Sequence, residues 1–205
     1  VSVVISLLRA QYQMFKEDFD FFAAGLSLLL LSPLFLVIAI LIKSTSEGPV
    51  FLRQKRMGRK GAIFNIFKFR TMHNNAESGT GPVWAQSDDP RVTRVGRFLR
   101  KSHLDELPQL INVAKGEMSL IGPRPERPEF VETICKHIPD FEQRLDVKPG
   151  ITGLAQVHYR YCASIKDAAR KLKYDLIYIN KMCWLLDFRI ILWTVKTVLT
   201  GEGAR

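Results

Sequence analysis

Two adjacent carboxylates, Asp105 and Glu106, stand in the stretch Arg100-Lys101-Ser102-His103-Leu104-Asp105-Glu106-Leu107-Pro108-Gln109-Leu110. Apolar residues at Leu107, Leu110, Ile111 and Ala114, followed by Gly116, predict a helix with one buried stripe. Pro108 suits the first turn of that helix, where a missing N–H leaves nothing unpaired. The pair then sits at the positive end of the helix dipole, beside N–H groups that suit an ionised carboxylate, a phosphate or a metal-bound diphosphate. Such a pair can attack an electrophile and hold a metal. It can equally do no chemistry, with Ser102 as N-cap and Asp105 or Glu106 reaching back in a capping box.

Charge says what the pair would meet. The chain has 205 residues and a formal net charge of +10, and basic residues crowd the stretch from Lys43 to Lys101 against only Glu47, Glu77, Asp88 and Asp89. Nucleic acid, an anionic membrane surface and a phosphorylated substrate each satisfy that field, and charge alone does not choose. Cys135, Cys162 and Cys183 are odd in number and lack paired spacing, which excludes a zinc ribbon and fits small packing residues in a reducing compartment. His73, His103, His137 and His158 are scattered and suggest no metal.

The elements that position the pair begin in a membrane segment. Phe21 to Ile42 carries no charge, and a helix of that length extends about 33 Å, enough for a bilayer core of roughly 30 Å. Ser32 and Pro33 lie at its centre, where proline removes a helix hydrogen bond and bends the axis. A sharp bend gives two arms too short to cross, entering and leaving on one face. Glu17, Asp18 and Asp20 before the run and Lys43 after it favour a straight span instead. Either way the chain from Lys43 onward is cytoplasmic. The division is thus 1–43, an N-terminal region with the membrane helix, and 44–205, a domain large enough for a core of its own. Val1 in place of a methionine points to a longer natural chain.

A hairpin is expected over Val50–Gln54 and Ala62–Arg70, with Gly58 and Gly61 in its turn. Alternation puts Lys68 and Arg70 on one face of the second strand, where they could grip a phosphate. Residues 73–90 read as a polar loop with an exposed aromatic candidate, Trp84. Val92 to Lys101 spaces Arg94, Arg97 and Arg100 three apart, predicting a basic amphipathic helix. Arg124 is fixed between Pro123 and Pro125, so its guanidinium is presented with little entropy left to lose. Lys148 to Gly153 gives a second turn leading into an apolar strand, Leu154 to Val157. Ser164 and Asp167 form a capping box for a helix to about Asn180. The last helix, from Trp184 or Asp187 to Leu199, completes the core or rests in the membrane interface.

Several long strings in order carry a family resemblance: the Ser32-Pro33 break, Lys68-Phe69-Arg70-Thr71-Met72, Leu104-Asp105-Glu106-Leu107-Pro108-Gln109-Leu110, Ile121-Gly122-Pro123-Arg124-Pro125 and Lys148-Pro149-Gly150-Ile151-Thr152-Gly153. From about Asp20 to its end the chain resembles the bacterial sugar transferases, the monotopic polyprenyl-phosphate phosphoglycosyl transferases. The resemblance implies a small mixed α/β catalytic domain with a re-entrant membrane helix broken at Ser32-Pro33, at the cytoplasmic face of the bacterial inner membrane. It also implies transfer of a sugar 1-phosphate from a UDP-sugar to undecaprenyl phosphate, with release of UMP, at the start of exopolysaccharide, O-antigen or related glycan synthesis.

Carried over residue by residue, Asp105 is the nucleophile, Glu106 the Mg²⁺ ligand, and Lys68, Arg100 and Arg124 bind the phosphates, with Arg70 a weaker candidate. The expected partners are the UDP-sugar, the polyprenyl phosphate and membrane lipid, but no nucleic acid, with homo-oligomerisation left open. Two positions depart from the pattern. Glu17 stands where a basic residue is common, and His158-Tyr159 follows Gln156-Val157 where many relatives have Asn-Gly. The ending Gly201 to Arg205 is similar to the C-terminus of the exopolysaccharide branch.

Overall fold

The computed structural model describes residues 2–74, 76, 89–159 and 164–200, with backbone only for 2–10. Most of the loop with Trp84, Cys162, and the Gly201 to Arg205 ending therefore lie outside the described residues.

One helix, α1, runs over Ser2–Thr45. Ser32 and Pro33 lie inside it, so helical backbone continues through the position of the expected break. Pro33 has no N–H to give the carbonyl of Leu29, and the Ser32 hydroxyl donates to that oxygen instead, at 2.8 Å. Packing on both sides of the proline holds the helix. Ala24, Leu28 and Leu31 join Phe64, Ile66, Leu110, Val113 and Met118 in one core. Leu34, Phe35, Ile38 and Ile42 join Phe69 and Leu99 in another. These inward positions recur at three and four, one stripe of a single helix. The remaining stripe, including Phe22, Leu26, Leu29, Leu30, Leu36 and Ile40, is exposed and apolar.

Lys16, Glu17 and Asp20, ahead of the uncharged run, are fastened to the domain. Asp187 accepts from Lys16 Nζ at 2.7 Å, from the Tyr12 hydroxyl at 2.5 Å and from the Tyr178 hydroxyl at 2.9 Å. Ser119 Oγ donates to Asp20 at 2.6 Å. Glu17, the first departure from the family pattern, pairs with Arg59 at 3.2 Å and Lys148 at 2.9 Å, so an acid there has partners in the fold.

Strands β1 (Phe51–Met57) and β2 (Ile63–Phe69) form the expected antiparallel hairpin, in register from Phe51 opposite Phe69 to Met57 opposite Ile63. Its turn uses left-handed backbone at Lys60 and Gly61. Helix α2 (Arg94–Lys101) is capped by Thr93, whose side chain accepts from Gly96 N. Helix α3 covers Leu110–Ala114 and ends before Gly116, at φ +76.

A second sheet pairs β3 (Ser119–Ile121) with β4 (Gly150–Thr152) in parallel. The backbones pass so closely that a Cβ on Gly150 would lie 2.0 Å from Gly122 N. Leu154 to Val157, expected as a strand, is instead part of helix α5 (Leu154–His158). Gly150–Thr152 already takes the strand position beside β3, and Gly153 O accepts from Val157 N at 3.1 Å to start a helical turn.

Helices α4 (Pro128–Cys135), α6 (Ile165–Lys181) and α7 (Trp184–Thr200) complete the described elements. The box at the start of α6 is formed: Ser164 Oγ accepts from Asp167 N at 3.2 Å and donates to its carboxylate at 2.7 Å. In α7 only Asp187 and Ile190 are buried, and Trp184, Leu185, Phe188, Leu192 and Leu199 are exposed. The protein is thus a mixed α/β domain built along one long apolar helix.

Removing Asp187 strands the Lys16 ammonium, only 8 % exposed, without its close partner. Asp187→Ala is expected to lower stability by about 3–5 kcal/mol, read by thermal unfolding in detergent, and Lys16→Met with Asp187→Leu to recover most of it.

Candidate active site

Asp105 and Glu106 lie on a tight 3₁₀ turn, Leu104–Gln109, between α2 and α3. Ser102 does not cap that turn. Its hydroxyl donates backward to Phe98 O at 2.9 Å and Leu99 O at 3.2 Å, closing α2. His103 then reverses the chain in the left-handed region at φ 56, a conformation costly for a side-chain-bearing residue. The capping-box reading therefore falls, and both carboxylates are free to face other elements. Asn112, fully buried on α3, ties this region to β2 by accepting from Phe67 N at 3.0 Å and donating to Asn65 O at 2.8 Å.

Lys68 Nζ, from β2, lies 2.6 Å from Glu106 Oε1. Arg124, from the loop after β3, grips the same carboxylate as a fork, with Nη2 to Oε1 at 2.5 Å and Nη1 to Oε2 at 3.1 Å. Arg100, from α2, is steadied by Thr71 Oγ1 at 2.9 Å, and its charge acts on Asp105. Lys68, Arg100, Arg124, Asp105 and Glu106, which lie between positions 68 and 124, thus form one cluster.

Arg70 is elsewhere. Its guanidinium donates to Glu47 O at 2.6 Å and to Ser46 O and Oγ at 2.8 Å, satisfying oxygens just past the end of α1. Strand β2 ends at Phe69, so the alternation that would set Arg70 beside Lys68 stops one residue short. His158, the other departure, stacks on Tyr174 and meets Trp193 edge-on, with ring centroids 5.5 and 4.8 Å away.

The two carboxylates are pushed apart electrostatically. Burial works against charge on Glu106, but Arg124 and Lys68 outweigh it and hold that carboxyl well below its ordinary range. Asp105 is raised, by burial first and by the neighbouring Glu106, against the pull of Lys68, Arg100 and Arg124. Burial also pushes the Lys68 ammonium down, with Glu106 opposing. Glu106 is therefore a committed anion, whereas Asp105 carries no matching fork and remains available.

A surrounding set of charges was not legible in the sequence. Arg144 Nε donates to Asp175 Oδ2 at 3.0 Å, and its Nη2 donates to the carbonyl of Arg124 at 2.8 Å. Arg56 Nη1 reaches Pro125 O at 3.4 Å. Nothing in spacing links positions 56, 144 and 175 to Arg124. The sole signal was the run of charges around prolines at 123–128.

Among the described residues no three His, Cys, Asp or Glu side chains gather as a metal site. Mg²⁺ needs fewer, since it keeps waters and phosphate oxygens beside one or two carboxylates. Asp105 and Glu106 fit that donor set, with both Glu106 oxygens currently accepting from cations.

The family model for bacterial sugar transferases matches residues 11–201. The chain belongs to that family. It is 46% identical over 194 residues to a UDP-N-acetylgalactosamine-undecaprenyl-phosphate N-acetylgalactosaminephosphotransferase of Aeromonas hydrophila, covering 95% of this chain and 46% of that protein. It is 41% identical over 200 residues to a UDP-glucose:undecaprenyl-phosphate glucose-1-phosphate transferase of Caulobacter vibrioides, covering 97% and 74%. It is 37% identical over 194 residues to the exopolysaccharide production protein PSS of Rhizobium leguminosarum bv. phaseoli, covering 92% and 97%. This sugar transferase chain thus spans about half the length of the Aeromonas relative and nearly all of the Rhizobium one.

Glu106→Gln in this sugar transferase removes the anion that Lys68 and Arg124 share. Discounting for partial exposure, the loss is expected to be about 2–3 kcal/mol near neutral pH. A lowered carboxyl stabilises above its unfolded pKa, about 4.3, and that contribution fades as pH falls through the folded value. The unfolding-temperature gap between wild type and variant should therefore be full above about pH 5 and close on acidification.

Proposed function

We propose that this chain transfers a sugar 1-phosphate from a UDP-sugar to undecaprenyl phosphate, releasing UMP, at the start of exopolysaccharide or related glycan synthesis. The observation that carries it is the division of labour within the dyad: Glu106 is bound by Lys68 and Arg124, and Asp105 stands beside them without such a fork. The names of the Aeromonas and Caulobacter relatives supply the donor and acceptor class.

In this reading an Asp105 oxygen forms a bond to the phosphorus that bears the sugar. The bond from that phosphorus to the UMP oxygen breaks, and UMP leaves with its electron pair. A phosphosugar-aspartyl ester remains. An oxygen of the lipid phosphate then attacks the same phosphorus, and Asp105 departs as a carboxylate. A carboxylate needs no deprotonation near neutral pH; its obstacle is repulsion by the diphosphate. Lys68, Arg100 and Arg124 relieve that repulsion from three sides. Mg²⁺, held by Glu106 with Asp105 adjacent, would add Lewis-acid neutralisation of the same charge.

The acceptor is a lipid, and α1 offers the means to reach it. Gln11–Thr45 is long and apolar enough to cross a membrane. The domain nevertheless packs along it on both sides of Pro33, from Tyr12 to Ile42. That favours a helix seated in the cytoplasmic leaflet with its exposed apolar stripe in lipid, over a helix with the domain beyond one end.

The test is UMP release by the protein in lipid with undecaprenyl phosphate, Mg²⁺ and a panel of UDP-sugars. Release from one sugar, reduced more than about 10³-fold in Asp105→Asn and lost with chelator, is expected. With labelled donor and no acceptor, the sugar phosphate should become attached to Asp105. Acceptor-dependent release without any adduct would replace the covalent route with direct attack by the lipid phosphate. Because the Asp105 carboxyl is raised, kcat/KM should fall on acidification at a pH above that of an ordinary aspartate, 3.9.

A further inference from the structure

The peptide that carries Arg124 is held by hydrogen bonds from other parts of the chain. Pro123 O accepts from Gly150 N at 2.9 Å, Arg124 O from Arg144 Nη2 at 2.8 Å, and Glu126 O from Met57 N at 3.0 Å. Two of these donors are backbone. The third is a side chain, 4 % exposed, on the 3₁₀ stretch Pro139–Asp146.

Arg144 is fixed in turn. Asp175 of α6, 2 % exposed, accepts from its Nε at 3.0 Å and pairs with its Nη2 at 2.9 Å, and the guanidinium lies over the Phe141 ring with 4.8 Å to the centroid. A buried ion pair is weak evidence for stability, because an apolar pair of like volume often does as well. What an apolar pair lacks is a donor for Arg124 O. Lysine lacks the fork that serves a carboxylate and a carbonyl at once.

We infer that Arg144, oriented by Asp175, is a positioning residue for Arg124. It sets the peptide from which the Arg124 guanidinium reaches Glu106 and, in the reaction proposed above, the donor diphosphate. The effect on turnover rests on that proposal; the effect on the Arg124–Glu106 fork does not. A misplacement of about 1 Å at a charge-stabilising group is enough to lower a rate about 10²-fold.

Two measurements on the full chain in detergent or lipid test this. With ¹⁵N-arginine labelling, the two Arg124 Nη groups, both held by Glu106, should give separate signals, assigned by their loss in Arg124→Lys. In Arg144→Met with Asp175→Leu, which keeps the pair's volume without a buried charge and whose folded state is checked by a cooperative unfolding transition, those signals should merge as the fork loosens. Unchanged Arg124 signals in the folded variant would overturn the inference. Second, Arg144→Lys should lower kcat/KM for UMP release about 10–100-fold in the wild type and far less in an Arg124→Gln background. Losses that multiply in full would mean that Arg144 acts only on the general fold, and the inference would fail. If the wild type releases no UMP from any donor, the proposed reaction fails, and the Arg124 signals alone decide the positioning role.

Discussion

The site depends on the neutralisation of Glu106. A half-buried carboxylate next to a second, buried carboxylate is costly unless cations meet it inside the protein. Lys68 and Arg124 do so at 2.6 and 2.5 Å. Each comes from a different element, so the turn at 104–109, the hairpin and the loop after β3 have to be placed together before any one of them is electrostatically tolerable. That requirement accounts for the left-handed His103, the buried Asn112 between α3 and β2, and the ties on the Arg124 peptide. With one carboxylate so committed, its buried neighbour is left without a matching fork.

A second constraint acts on α1, a long apolar helix that the domain covers on one side. Helix α1 carries an inward apolar stripe into two cores and an outward one with no cover among the described residues. Its charged N-terminal end is pinned through Lys16, Asp20 and Asp187. Helix α2 presents Arg94, Arg97, Phe98 and Lys101 outward, a basic stripe with one aromatic residue. The Arg100 and Leu99 side chains point the other way, one toward Thr71 and the other into the core under α1. The exposed apolar and basic surfaces thus belong to elements that also build the site.

Much of this was legible in order along the chain. The hairpin, the basic amphipathic helix and the Ser164–Asp167 cap follow from local rules: alternation of two, recurrence at three and four, and a side-chain oxygen for a free N–H. The family strings named the dyad and its cations. Arg70 was misplaced because β2 ends before it and the Ser46 and Glu47 carbonyls offered nearer acceptors. Leu154 to Val157 forms a helix where a strand was expected, because four residues, three of them apolar, are too few to show a period. The strand beside β3 was taken by Gly150–Thr152.

What the sequence by itself determined is local and chemical: an adjacent carboxylate pair before a proline, an arginine between prolines, and a long uncharged apolar segment. These need only residue type and spacing. The tertiary structure alone decided which carboxylate is sequestered, that α1 continues through Pro33, and that Arg144 and Asp175 stand behind Arg124. The reason is common to all three. Each outcome balances a local penalty, a buried charge or a lost helix hydrogen bond, against contacts from residues tens of positions away, and no local rule carries information about those partners.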